Sequence, residues 1–455
     1  MFEDTIIAIS TPFGYGGLGV VRLSGKKSLS IAKKIFKPKK HNSKILPRRP
    51  ILGNLYHFED KDFFEEAYLT FFPAPRTYTR EDVVEISCHG SPLILEETIR
   101  LGIKAGARHS RPGEFTLRAY LNGRIDILQA EAINDIIQAA SFKQAKISYK
   151  QLEGKLSQTI NSLRNQMINL LCQIEANIEF PDEDLKISPQ KITKTITNIT
   201  RTVKSLIESY NLGKTLSEGI TLAILGRANT GKSTLFNSLC GKERAIVTSY
   251  PGTTRDYLHE RIKIKDSLFT LIDTAGFENA AHPIDKEGIK RGKQQAVSAD
   301  GLLILFDSSK KESTEDIQLV HSFPDKRKLL LFNKIDLRKK IDVSKLTNMD
   351  KNLPFLEISA LKGTNLNKLT EMIHSIFVPK KEFGEEVILH LRQKLLLDEI
   401  LYCLDEGFRL YKDGYPEEIA AEEFRKTIPL VGQLTGEIRT EDILNEIFSR
   451  FCVGK

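Results

Sequence analysis

Gly226, Gly231, Lys232 and Ser233 stand in the stretch GRANTGKST at the spacing G-x-x-x-x-G-K-[ST], directly behind the apolar run LAIL. Glycines at this spacing let backbone N–H groups converge on phosphate oxygens. The lysine then reaches the β and γ phosphates of a nucleotide, and the serine hydroxyl binds Mg²⁺. One lysine is not the whole requirement, because phosphoryl transfer at useful rates needs a second positive charge beside the phosphate. Downstream, DTAG (Asp273, Thr274, Ala275 and Gly276) closes an apolar run, where an aspartate on the Mg²⁺ side belongs. NKID closes another, with Asn333, Lys334 and Asp336. A carboxylate at Asp336 accepts from guanine N1–H and the 2-amino group together; adenine offers neither in that arrangement, so guanine is the expected base.

These residues need strands to hold them. From 218 to 378 apolar runs alternate with helical stretches (ITLAILG, LFTLIDTAG, GLLILFD, KLLLFNKID, FLEISA), the βαβ rhythm of a parallel sheet. Residues 1–118 carry short β-rich runs (TIIAIS, GVVRLSG, AYLTFF, DVVEISCHG) punctuated by Gly and Pro, which reads as an α+β domain. Helical periodicity takes over across 119–217, where Ile127, Leu128, Ala130, Ile133, Ile136 and Ile137 share one face and a second run spans Ile168 to Ile178. It returns across 379–455, in VILHLRQKLLLDEILYCLDEGF and EDILNEIFSRF. The expected fold class is multidomain α/β: an N-terminal α+β domain, a discontinuous α-helical domain made of both helical blocks, and a P-loop domain inserted between them.

At 455 residues the chain exceeds one hydrophobic core, and 40% hydrophobic with 28% charged residues excludes general disorder. No apolar run approaches the roughly 18 residues of a membrane span, and MFEDTIIAIS lacks the basic start of a secretory signal. Cys88, Cys172, Cys240, Cys403 and Cys452 lie far apart without metal-ligand spacing, so reduced thiols and a cytoplasmic location are expected. The net charge of +8 is spread thinly, yet Lys26 to Arg49 holds ten basic residues and no acid. That run suits a phosphate backbone or, equally, a solvated loop.

Within the P-loop region the pattern resembles small Ras-like GTPases, with two departures. Ser359, Ala360 and Leu361 of SALK sit where those proteins support guanine, and Thr254 of GTTRD matches the threonine that completes the Mg²⁺ shell with Ser233. The residue after DTAG, however, is Phe277, which cannot orient a water as glutamine does. The other departure is Asn229, which stands in the first loop beside a second threonine-rich loop, AIVTSYPGTTRD. The expected GTP-binding set is Asn229, Thr230, Gly231, Lys232, Ser233 and Thr234, then Thr248, Ser249, Tyr250, Pro251, Gly252, Thr253 and Thr254, together with the DTAG, NKID and SALK residues.

DTIIAISTPFGYGGLGVVRLSG, EDVVEISCHGSPLIL, RPGEFTLRAYLNGRIDILQAEAI, FPDED, GRANTGKSTLFN and the terminal FCVGK occur in this order. Over essentially its whole length the chain thereby resembles the MnmE (TrmE) family of tRNA modification GTPases. The resemblance implies that a potassium ion supplies the second charge, held by Asn229 and by carbonyls at Thr248, Tyr250 and Thr253. It implies a switch carboxylate that positions the attacking water; Asp285 occupies that place, one methylene shorter than the family's glutamate, with Glu287 nearby. Arg255 is a competing source of charge. It implies further that residues 1–118 dimerise and bind a one-carbon tetrahydrofolate, with Arg22, Glu85, Arg124 and Lys455 at the matching positions.

By itself GYGGLGV would read only as a strand-connecting loop. The same resemblance implies an FAD-dependent partner, GidA (MnmG), in a heterotetramer that adds an aminomethyl or carboxymethylaminomethyl group to C5 of the wobble uridine of certain tRNAs. Cys452 is either a tail thiol without chemistry or, if the tail returns to the folate site, a participant in one-carbon transfer. Lys143, Lys146 and Lys150, on one helical face, join the Lys26 to Arg49 run as candidates for tRNA contact. The alternative is a regulatory GTP switch that binds RNA and catalyses nothing else; such a switch has no need of the N-terminal domain or of FCVGK.

Overall fold

A computed structural model of the chain describes residues 3–40, 44–139, 141–179, 188–217, 219–243, 259–273, 296–347, 353–379, 387–438, 444 and 447–455. Contacts divide the chain into two compact units. One comprises Met1–Asn134, Tyr149–Ile199 and Glu399–Lys455; the other comprises Asp135–Ser148 and Thr200–Asp398.

In the first unit β1 (Ile6–Ile9), β2 (Gly16–Ser24), β3 (Phe36–Pro38), β4 (Ile51–His57), β5 (Asp62–Phe72), β6 (Val83–Gly90) and β7 (Arg108–His109) form one sheet in the order β3-β4-β5-β6-β2-β1-β7. All neighbours are antiparallel except β1 and β7. Period-two alternation sets the faces. Val84, Ile86 and Cys88 of β6 join Val21 and Leu23 of β2 in the core, under α1 (Ser28–Ile35) and α2 (Pro92–Lys104). The intervening Glu85 therefore falls on the opposite face, in register with Arg22.

α3 (Glu114–Leu121) follows β7 and brings in Arg118, which is fully buried. Its guanidinium donates to Asp4 Oδ1 at 2.7 Å, Glu114 Oε1 at 3.0 Å and Glu81 Oε2 at 3.2 Å. Burial pushes the carboxyls of Asp4 and Glu114 up, but hydrogen bonds from Arg108 and Arg118 outweigh it and hold both below the ordinary carboxylate range. Helices complete the unit. α4 (Ile127–Gln138) starts its apolar face here, α5 (Phe142–Leu152) belongs to it only from Tyr149, and α6 (Lys155–Glu179) buries Leu156, Ile160, Leu163, Met167, Leu170 and Ile174 at helical spacing.

The second unit is built on a six-stranded sheet of β8 (Ile220–Leu225), β9 (His259–Ile264), β10 (Ser267–Asp273), β11 (Gly301–Asp307), β12 (Arg327–Asn333) and β13 (Phe355–Glu357). The order is β13-β12-β11-β8-β10-β9, parallel except for β9 on β10. Strands such as GLLILFD are buried throughout because helices cover both faces. One layer includes Leu222, Leu303 and Leu331, the other Ala223, Ile304 and Phe332. With the strands belong α8 (Lys232–Glu243), α9 (Thr314–His321), α10 (Val343–Thr347) and α11 (Leu366–Phe377); α7 (Pro189–Ser217) and α12 (Leu391–Lys412) each divide between the two units, and α13 (Glu417–Thr435) belongs to the first.

Two expectations shift in detail. Ile127, Leu128, Ala130 and Ile133 are buried, but Ile137, at the helical angle of Ala130 and Ile133, is 46% exposed, because it lies one residue from the end of α4. The helix expected from Val387 begins at Leu391. Residues 387–389 instead lie outside any helix or strand, with Ile388 N–H donating to Ser209 Oγ at 3.0 Å and Val387 and Leu389 packed on Leu212.

Replacing Arg118 with Met would leave Glu81 and Glu114 buried without their shared cation. The expected cost is about 3–5 kcal/mol, read as a lowered thermal transition of the variant by calorimetry. Acidification should act on the same network. Carboxylates held below their ordinary range stabilise the fold above that range, so this contribution is lost as pH falls through their lowered values.

Candidate functional site

Every nucleotide motif that the structure describes lies at the carboxyl end of a strand in the second unit, which is where open α/β sheets hold ligands. β8 runs into the glycine loop. Asp273 ends β10, Asp307 ends β11, Asn333 ends β12, and Ser359 follows β13 by two residues.

Gly226 turns with φ +156°, and a Cβ there would lie 2.4 Å from the Leu305 carbonyl oxygen. Lys232 begins α8, its Nζ donating to the loop carbonyls of Gly226 at 2.6 Å and Arg227 at 3.0 Å. The ammonium is thus held inside the loop's curve, where phosphate oxygens would meet it together with the helix N-terminus. Ser233 Oγ donates to Asp273 Oδ2 at 2.9 Å, so a hydroxyl and a carboxylate already share one point. Two hard oxygen donors in contact suit Mg²⁺.

The base side is fastened to the phosphate side by Asn333. Its Nδ2 donates to the Thr230 carbonyl at 2.8 Å, and its Oδ1 accepts from the Ala360 N–H at 2.9 Å. Gly231 permits this, since a Cβ there would lie 2.4 Å from Asn333 Nδ2. Lys334 Nζ donates to the Asn229 carbonyl at 2.7 Å and to Asp307 Oδ2 at 2.8 Å. Ser359 Oγ donates to Asp336 Oδ1 at 2.5 Å, which holds the Asp336 carboxyl below its ordinary range and so ionised, as an acceptor for two donors must be. Leu361, two residues after Ser359, is exposed, an apolar surface of the kind a base can lie against.

Asn229 adopts the left-handed conformation, φ +65°, with an exposed side chain that makes no hydrogen bond among the described residues. Thr234 lies on the first turn of α8. Thr248, Ser249, Tyr250, Pro251, Gly252, Thr253, Thr254, Thr274, Ala275, Gly276 and Asp285 lie outside the described residues, as do Arg255, Phe277 and Glu287. Asp307 escaped the sequence reading. It is the last residue of an apolar strand, as Asp273 and Asn333 are, and that shared position was the available signal.

The first unit holds a separate cleft of about 450 Å³, lined among others by Arg22, Tyr78, Arg76, Glu85 and Arg124. Arg22 Nε donates to Glu85 Oε1 at 2.9 Å. The Tyr78 ring is flanked by the guanidinium carbons of Arg22 at 5.7 Å and Arg124 at 4.8 Å, and Arg124 Nη1 donates to the Tyr78 carbonyl at 2.9 Å. A carboxylate, two arginines and an aromatic face fit a flat, polar, anionic ligand. The chain terminus closes on this region: Phe115 N–H donates to the Lys455 carbonyl at 3.1 Å, and Ser10 Oγ to the Gly454 carbonyl at 3.3 Å. A Cβ at Gly454 would lie 1.9 Å from the Ile9 carbonyl oxygen. Burial, then the charge of Arg22, lowers the pKa of the Lys455 ammonium. Cys452 is exposed on this tail. Tyr78 was missed by sequence reasoning, since nothing in TYTR separates a cleft aromatic from a packed one.

The second unit is the nucleotide-binding domain of a P-loop GTPase. Residues 5–124 match the family model "GTP-binding protein TrmE N-terminus", and residues 127–452 match "MnmE helical domain". The chain is similar to the tRNA modification GTPase MnmE of Aquifex aeolicus, 39% identical over 457 residues with all of both chains covered. It is 38% identical over 458 residues to that of Natranaerobius thermophilus, again over all of both chains. To that of Thermotoga maritima it is 37% identical over 455 residues, covering 99% of this chain and 100% of that one. A partial likeness to a solved structure, Era of Aquifex aeolicus with GDP and aluminium fluoride, covers 40% of this chain and 66% of that one at 26% identity and a TM-score of 0.29. The chain belongs to the MnmE family of tRNA modification GTPases.

Asp336→Asn tests the base contact. An amide offers one donor and one acceptor, which match the 2-oxo group and N1–H of xanthine instead of guanine's two donors. GTP affinity is expected to fall about 100-fold while xanthosine triphosphate affinity rises, measured by nucleotide titration.

Proposed function

We propose that the chain is a potassium-dependent GTPase acting in tRNA modification. With an FAD-dependent partner, GidA (MnmG), it adds an aminomethyl or carboxymethylaminomethyl group to C5 of the wobble uridine of certain tRNAs, drawing the carbon from a one-carbon tetrahydrofolate. The observation that carries this reading is the coexistence of two built sites: a guanine-nucleotide site in one unit and, in the other, an arginine–carboxylate cleft whose Arg22 and Glu85 lie within electrostatic reach of the terminal Lys455. A GTP switch alone has no use for the second.

At the nucleotide site Lys232 bears on the β and γ phosphates, and Ser233, with Thr254, holds Mg²⁺. Asn229 offers its side-chain oxygen to a potassium ion, with Thr248, Tyr250 and Thr253 supplying carbonyls; the ion would provide the charge that another GTPase takes from an arginine. Asp285 orients the attacking water. Asp336 selects guanine, with Ser359, Ala360 and Leu361 supporting the base. GTP is no reactant in the modification; its hydrolysis times a change of conformation.

In the cleft, Glu85 accepts from the donor edge of the folate's pterin ring, while Arg22, Arg124 and Lys455 hold its oxygens or its glutamyl carboxylates. A bound carboxylate restores the lowered proton affinity of Lys455, because an opposite charge favours the ammonium. Residues 1–118 form the homodimer and folate-binding domain, 218–378 the G domain, and 119–217 with 379–455 the helical domain. Cys452, exposed on the tail, is the candidate thiol for the one-carbon step.

GTP hydrolysis measured in KCl and in NaCl at equal ionic strength is expected to be at least about tenfold faster in KCl, and Asn229→Ala should abolish the difference. Equal rates in both salts would assign the charge to Arg255 or to a partner's arginine. For the cleft, titration with 5-formyltetrahydrofolate followed by fluorescence is expected to weaken about 10- to 100-fold in Glu85→Ala. It should weaken also in Gly454→Ala, whose methyl group displaces the tail without touching Glu85. Unchanged affinity in Glu85→Ala would remove that residue from the site.

A further inference from the structure

We infer that the outer surface formed by α1, the edge strand β3 and the strap of residues 44–49 is the docking face for the phosphate backbone of the tRNA; this rests on the reading of the chain as acting on tRNA. All ten basic residues between Lys26 and Arg49 are exposed. Four of them have partners: Lys34 Nζ donates to the Ala105 carbonyl, Lys37 Nζ lies 4.4 Å from the Tyr56 ring centre, Lys39 pairs with Glu66, and Arg48 Nη2 donates to the Arg76 carbonyl. Lys26, Lys27, Lys33, Lys40, Lys44 and Arg49 have no side-chain partner among the described residues. Six outward cations left uncompensated within 24 residues make a field that surface pairing would ordinarily quench, and such a field suits a closely spaced row of phosphates.

Lysines also blunt the exposed edges of sheets, and β3 is such an edge. That accounts for Lys37 and Lys39 only. Lys26, Lys27 and Lys33 flank or occupy α1, whose inner face is Ile31, Ala32 and Ile35, and Lys44 and Arg49 lie on the strap. An anionic lipid surface would need apolar side chains to insert, and within the run Leu46 is the large apolar residue that is exposed. The α5 lysines are a weaker candidate: Lys150 sits 3.5 Å from Glu153, which leaves Lys143 and Lys146.

The face leads to the cleft. Arg48 N–H donates to the Phe71 carbonyl, Pro47 bridges to Phe71, and the Arg48 guanidinium reaches the backbone of Arg76, a residue of the cleft wall next to Phe72 and Pro75. RNA held along α1 and the strap would therefore pass the rim of the arginine–carboxylate cleft, the site proposed for the one-carbon donor.

The test is binding of unmodified tRNA transcript to the full chain, by fluorescence anisotropy across a KCl series. The variants are Lys26→Ala/Lys27→Ala/Lys33→Ala and, for comparison, Lys143→Ala/Lys146→Ala. Lys26, Lys27 and Lys33 are all exposed, so GTP hydrolysis and the melting curve of the first variant are expected to match the wild type and to show that it folds. Its tRNA affinity should fall about tenfold at 0.1 M KCl, and its plot of log affinity against log salt should flatten by about 2, at roughly 0.7–0.9 per phosphate contact removed. An unchanged affinity and slope, or a loss confined to the α5 variant, would overturn the assignment of the face while leaving tRNA as the substrate. Equal affinity of the wild type for phosphatidylglycerol vesicles, lost in the same variant, would replace RNA with a lipid surface. No binding of tRNA by the wild type would refute both the face and the reading beneath it.

Discussion

Asn333 donates to the carbonyl of Thr230 and accepts from the N–H of Ala360, and it can do both only because Gly231 has no side chain in the way. One amide thereby ties three loops from three strands into a single object. A nucleotide presents its phosphates at one end and its base at the other, so a site that discriminates bases and acts on phosphates must fix the distance between those ends. Neutral hydrogen bonds of this kind are individually modest, about 1 kcal/mol each, but a buried amide satisfied at both ends is costly to displace. Lys334 and Asp307 duplicate the link: an ammonium held by a buried carboxylate grips the carbonyl of Asn229, the residue proposed to face the potassium ion.

The first unit solves a comparable problem with charge. Arg118 is buried at the centre of Asp4, Glu81 and Glu114, and Ser24 donates a further bond to Glu81. This network lies where β1, β2 and α3 meet, beside the strands that carry Arg22 and Glu85. Desolvating Arg118, Glu81 and Glu114 is expensive, and their mutual attraction and hydrogen bonds offset that cost. The result is a rigid platform whose far face presents Arg22 against Glu85, with Tyr78 between two arginines. Onto it the chain returns its own end, through Gly454 packed against the Ile9 carbonyl.

The two sites follow one logic at different scales. In each, a strand pattern delivers side chains to a rim, and a backbone made of glycine lets another segment approach closely. The difference lies in range. The nucleotide site is assembled from loops within about 135 residues of one another, Gly226 to Leu361, whereas beside the cleft Gly454 and Lys455 accept hydrogen bonds from Ser10 and Phe115.

Much of this was legible in the chain itself. Apolar runs of six or seven residues ending in Asp, Asn or Gly fix a parallel sheet with its polar residues at one edge, because helices on both faces demand strands that are apolar throughout. The spacing of Gly226, Gly231, Lys232 and Ser233, and the positions of Asp273, Asn333 and Asp336, state the nucleotide chemistry without any coordinates. β4 and β9 were not legible: ILGNLYH and HERIKI mix polar and apolar residues and owe their strand form to pairing with neighbours. Nor could periodicity show that Ile137 faces outward or that residues 387–389 leave the helical path to meet Ser209. Only the tertiary structure decided that Arg22 and Glu85, 63 residues apart, stand in register, that Tyr78 lies against two guanidinium groups, and that the chain terminus bonds to Ser10 and Phe115. Sequence spacing encodes contacts a few residues apart through backbone geometry. Contacts across hundreds of residues depend on sheet order and on which glycines admit a passing chain, and those are settled by packing.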